Sequence, residues 1–120
     1  IDFAKFDHLL THARKAGQKL AFRIMCAGTR REYMYVPKWL KEKGCKGFEY
    51  QFRGKGPKHW IPDVDDPIFQ DTHFRLIEKL GKRYDGHPDL SLVDIGSVGL
   101  WGEWHMSGTD LSHPSSNSWT

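Results

Sequence analysis

Long apolar runs are missing from these 120 residues. A membrane-spanning helix needs roughly 18 consecutive apolar residues, so no membrane partner is expected. Cysteine is scarce: Cys26 and Cys45 fit neither a disulfide-dense framework nor a CxxC metal motif. Whether they pair is a question of geometry, and two plain thiols are expected. Charge of one sign is never blocked, because 18 Lys and Arg are interspersed with 15 Asp and Glu for a formal +3. A nucleic-acid surface would concentrate its basic residues on one face, so no such partner is expected either. The amino terminus lacks the basic, apolar and small-residue order of a signal peptide. It opens on Ile1-Asp2-Phe3 without an initiator Met, and any targeting segment is expected upstream. There is no internal repeat, and the Ser-rich stretch Ser112 to Ser118 belongs to a tail, residues 106–120, that reads as loop.

What is present suffices for a packed core: 38% hydrophobic residues, 13% aromatic. Phe3, Phe6, Leu9, Leu10 and Ala13 share one face at helical spacing ahead of Gly17, which predicts a helix over about 4–16. Lys19 to Met25 follows as a short buried strand. Pro37 to Lys43 reads as a short helix carrying Trp39 and Leu40 inward. Between Gly44 and Asp65 the chain is punctuated by Gly and Pro, with one further strand near Phe48 to Phe52. Asp66 and Pro67 are cap and first residue of the clearest helix, whose buried stripe is Phe69, His73, Leu76, Ile77, Leu80 and Tyr84. After the turn Asp85-Gly86-His87-Pro88, Leu90 to Val98 forms a near-continuous apolar run of the kind found in covered parallel strands.

Alternating helices and strands predict an α/β fold with parallel strands and outer helices. A (β/α)8 barrel takes about 250 residues, so the expectation is a fragment of such a TIM barrel, running from its first helix to the loop after strand four. The other reading is a complete doubly wound domain.

In these folds chemistry sits beyond the carboxyl ends of strands. Arg23 lies near the end of the first strand, and Gly99-Leu100-Trp101-Gly102-Glu103-Trp104-His105 follows the last. A carboxyl group between two tryptophans has apolar walls that favour the protonated form a general acid requires. Trp101 and Trp104 offer flat faces to a sugar ring. Equally open is a structural Glu103 among core tryptophans. Arg23 reads either as a holder of carboxylates or as a strand-end salt bridge. His105 reads as a substrate or Glu103 contact, or as a structural donor. Asp63, Asp65 and Asp66 read as capping and turn residues. His105, Asp110 and His113 fit no metal signature, and Ser97 lacks the Gly-x-Ser-x-Gly elbow of a nucleophile; no metal and no cofactor are expected.

Three stretches resemble the first half of the β-galactosidase-like barrels of a large clan of retaining glycoside hydrolases, and related barrels of unassigned activity. They are Phe6 to Arg23, Val36-Pro37-Lys38-Trp39-Leu40, and Leu80 to Pro88 leading into Val93-Asp94-Ile95-Gly96. The clan usually reads Asn-Glu at the end of strand four, where this chain reads Gly102-Glu103. Its Gly99-x-x-Gly102-Glu103 exit is similar to that of β-amylases. The resemblance implies a glycosidase acting on an oligosaccharide or polysaccharide, secreted or periplasmic, with Glu103 as catalytic acid/base. Arg23, Trp39, Trp101, Trp104 and His105 would bind substrate. The partner carboxylate would lie outside this segment, leaving the segment inactive by itself. The alternative is a non-catalytic carbohydrate-binding or scaffold barrel.

Overall fold

The computed structural model describes residues 1–30 and 33–111. Helix α1 (Phe3–Lys15) starts where the Asp2 carboxylate accepts the Lys5 N–H, and ends before Gly17. It leads into β1 (Leu20–Arg23), then α2 (Lys38–Glu42), β2 (Gly47–Gln51), β3 (Lys58–Pro62), α3 (Pro67–Tyr84) and β4 (Leu90–Asp94). A short 3-10 turn, Leu100–Gly102, follows.

The barrel expectation is not met. Among the described residues there are two separate two-stranded sheets, β1 parallel to β4 and β2 antiparallel to β3. β1 and β4 are direct neighbours with no strand between them, paired Ala21 with Leu92, Phe22 with Val93 and Arg23 with Asp94. The reason lies in Gly44 to Asp65. Gly54, Gly56 and Pro57 close a short connection between β2 and β3, and a short connection can join only antiparallel strands. The stretch that a barrel would use for a parallel strand and its crossover helix therefore folds back on itself.

α3 is the crossover between β1 and β4 and is set by its first residues. Asp66, buried, accepts hydrogen bonds from the N–H groups of Ile68 and Phe69 and from that of Lys46, so one carboxylate caps α3 and ties it to the entry of β2. Leu80 and Tyr84 of α3 meet Leu10 of α1 over Leu20, Phe22 and Leu90, which closes one core. At its edge the Asp7 carboxylate accepts from Tyr84 Oη (2.9 Å) and Arg83 (2.6 Å). A second core, Cys26, Leu40, Cys45, Trp60 and Phe69, lies under α2. Both cysteines are free there, and burial raises each thiol to about 11. A third joins Ala27, Tyr50, Ile61, Leu100 and Met106, and it supports the loop after β4.

Three expectations are corrected. Ile77 is 43% exposed, and so is neighbouring Phe74 at 66%, because the sheet beneath α3 is too narrow to cover both flanks of the helix. Trp39 is 42% exposed while Leu40 is buried, since a five-residue helix presents little more than one inward position. The apolar run after Leu90 is also shorter as strand than its composition suggests, ending at Asp94. It is not covered on both faces: Leu92 is 54% and Ile95 76% exposed.

Two outcomes are expected. The hydrogen bonds from Lys46, Ile68 and Phe69 hold the Asp66 carboxyl below its ordinary value. Its contribution is therefore full above the unfolded carboxylate value and lost as pH falls through the lower folded one. Asp66→Ala should lower Tm by several degrees at pH 7, and the gap to the parent should narrow on acidification; equal gaps at pH 7 and pH 2.5 in thermal melts would contradict this. The apolar edge at β4 should drive self-association. Leu92→Lys with Ile95→Lys should reduce light scattering at high concentration while leaving Tm nearly unchanged.

Candidate functional site

The carboxyl ends of the paired strands β1 and β4 converge on one guanidinium. Arg23 and Asp94 are the last residues of their strands and stand in register. Arg23 gives Nε (2.8 Å) and a second nitrogen to the same Asp94 oxygen, its other terminal nitrogen donates to the Trp101 carbonyl at 2.9 Å, and that nitrogen lies 3.7 Å from Glu103 Oε1. Such a fork of donors is available to arginine and not to lysine. Because the Arg23 and Asp94 side chains are 35% and 46% exposed, the pair contributes about 0–1 kcal/mol to stability. Its consequence is positional.

The loop that brings Glu103 to Arg23 is built from unusual backbone. Gly99, Trp101, Gly102 and Trp104 all have positive φ, between 54° and 83°. For the two tryptophans this costs about 1 kcal/mol or more each, which the surroundings offset. Trp101 N–H donates to the Ala27 carbonyl (3.0 Å), Trp104 N–H to Val98 (3.0 Å) and Leu100 N–H to His105 (2.8 Å). Leu100 is fully buried in the third core. Three glycines are obligatory, and a Cβ on Gly99 would run into the backbone of Trp104 and His105. A Cβ on Gly96 would occupy the space of the Arg23 side chain, and one on Gly102 would run into the backbone of Gly96.

The two tryptophans have opposite fates. Trp101 packs edge-on against Phe52, at 5.8 Å between ring centroids, and joins the third core. Trp104 donates its indole N–H to the Ile95 carbonyl (2.9 Å) and is 59% exposed as a residue. His105 accepts the Ser107 N–H at Nδ1 (3.1 Å), so a neutral ring carries its proton on Nε2, which faces Glu103 Oε2 at 3.4 Å. The Glu103 side chain is 51% exposed, with a guanidinium on one side and an imidazole on the other. That differs from the expected enclosure between apolar walls.

Glu103, Arg23, Trp101, Trp104 and His105 are thus brought together on one loop and one strand end. Trp39 is not among them. It lines a separate groove between α2 and α3. Glu103 also lies nine residues beyond Asp94, on the loop and not at the strand end itself. The residue that occupies the strand end is Asp94, which the apolar run Leu90 to Val98 puts inside the expected strand; its place opposite Arg23 follows only from the observed strand end and register. Of the aspartates, Asp66 caps α3, Asp63 accepts from the Asp65 N–H, and Asp110 accepts from the Gln51 N–H (2.9 Å). His113 and the Ser112 to Ser118 tract lie outside the described residues. Ser97 bonds His73 Nε2 at 2.7 Å. No group of three or more His, Cys, Asp or Glu among the described residues is arranged to hold a metal ion.

No family model, curated protein or solved structure matches this chain.

Gly102→Ala should destabilise by more than about 1 kcal/mol and flatten the near-ultraviolet circular dichroism of the tryptophans. Gly86→Ala, at positive φ in open space, is the control: it carries the conformational cost without the clash, so an equal effect at both positions would show that the close approach to Gly96 contributes nothing.

Proposed function

We propose that the loop after β4 is the glycone-facing part of a glycoside hydrolase site, with Glu103 as its general acid/base. The observation that carries this reading is the pairing of a solvent-accessible carboxylate, held by Arg23 and His105, with an exposed Trp104 ring on the next residue. A large aromatic ring kept in water by a strained backbone needs a reason beyond packing, and stacking on the C–H face of a sugar is one. Glycosidic hydrolysis needs two carboxyl groups. Asp94 is engaged by two nitrogens of Arg23, so the partner carboxylate comes from outside these residues. Glu103 then moves a proton to or from the glycosidic oxygen while Arg23 and His105 fix its position.

One observation favours a second reading, a carbohydrate-binding surface without turnover. A carboxylate flanked by two donors is set to accept hydrogen bonds, and sugar hydroxyls supply them equally well.

The two readings separate on one panel. The chain is titrated with oligosaccharides by tryptophan fluorescence, and assayed on aryl glycosides with azide or formate supplying the missing nucleophile. Binding weakened by Trp104→Ala, together with turnover abolished by Glu103→Gln, is the expected result. Binding without turnover selects the second reading. No binding across the panel, or turnover indifferent to Glu103→Gln, overturns the proposal.

A further inference from the structure

A groove of about 490 Å3 lies between α2, α3 and the chain after β1. Its volume falls in the range of small-molecule sites. None of Arg23, Asp94, Glu103 and His105 lines it.

The walls are apolar and partly flexible. Met25 (39% exposed) and Trp39 (42%) face the groove with Val36 and Leu76, and Phe69 lies at its base. Methionine and aliphatic side chains adapt to a flexible chain. Along the α3 wall His73 stacks on Phe69, 5.2 Å between centroids, and its Nε2 is held by Ser97. Burial lowers the affinity of His73 for a proton, so the ring itself adds polarity without charge near neutrality.

The charge left over in the lining is positive. Arg75 is tied to Asp71 at 3.1 Å, which cancels both. Lys43 and Lys79 are left over. Lys43 Nζ stands 4.9 Å from the centre of the Trp39 ring, and Lys79 forms no ion pair among the described residues. An apolar trough with two uncompensated ammonium groups complements a ligand with an apolar body and one negative end.

We propose that this groove binds a single-chain amphipathic carboxylate, its alkyl chain between Trp39 and Leu76 and its head group against Lys43 and Lys79.

The test is titration of the chain with decanoate, decanol and decyltrimethylammonium below their micelle concentrations, followed by calorimetry and tryptophan fluorescence. Decanoate should bind at one site per chain and more tightly than either of the others. Lys43→Glu combined with Lys79→Glu should weaken decanoate by about tenfold and favour the cation instead. Trp39→Ala should weaken all three. Thermal melts establish that each variant is folded, and Lys5→Glu with Lys82→Glu controls for net charge. The proposal is overturned if the cation binds the parent chain as well as decanoate does, if binding does not saturate, or if the charge reversal at Lys43 and Lys79 acts no more strongly than the control pair. Glu103→Gln should leave decanoate binding unchanged, so failure here and failure of the glycosidase reading remain distinguishable.

Discussion

A single guanidinium organises the carboxyl end of this fold. Arg23 closes the register of β1 and β4 through Asp94, receives the Trp101 carbonyl and reaches Glu103. Partly exposed ion pairs contribute little energy, so the role of this one is geometric. A planar cation with several fixed donors converts the end of a strand pair into a fixed origin for the loop beyond it. Gly96 belongs to the same device, because its missing side chain is where the Arg23 stem lies.

The loop needs a second support, and the hairpin of β2 and β3 provides it. Tyr50 on β2 accepts the Gly28 N–H and donates to the Gly28 carbonyl, fixing the chain just after Ala27, whose own carbonyl receives the Trp101 N–H. Ile61 on β3 and Leu100 in the turn fill the core between them. Burial of Tyr50 raises its phenol to about 12, so this link stays neutral over any ordinary pH. The hairpin is what the barrel expectation misjudged, and it is also what keeps the tryptophan loop in place.

Where one local rule dominates, the elements were legible in the sequence. Asp66-Pro67 and Asp85-Gly86 bracket α3 to within a residue, and the Phe3, Phe6 and Leu10 spacing gives α1. The pairing of β2 with β3 was not legible, because a parallel strand and an antiparallel hairpin share the same apolar alternation and differ only in what connects them. Ile77 and Trp39 were misplaced for a related reason. Periodicity says which residues share a face, and only the width of the opposing surface says how many of them it covers. At the site, Glu103 and its neighbours were visible as a motif, whereas Asp94 became meaningful only with the register of β1 against β4.

The motif Trp101-Gly102-Glu103-Trp104 looks symmetric in sequence, yet its tryptophans do opposite things. Gly102 stands in a conformation no side chain adopts cheaply, pressed against Gly96, and it turns the chain between them. Trp101 is thereby directed inward, its carbonyl to Arg23 and its ring to Phe52, while Trp104 is directed outward with its indole N–H fixed on Ile95. The inward ring anchors the loop and the outward one is free of packing duty. Glu103 lies between them, so the backbone strain that holds Trp101 in the core is the same strain that presents Glu103 and Trp104 together to solvent. Any ligand of this loop would therefore meet a carboxylate and an aromatic face borne on a backbone of fixed shape, and such preorganisation lowers the ordering cost of binding.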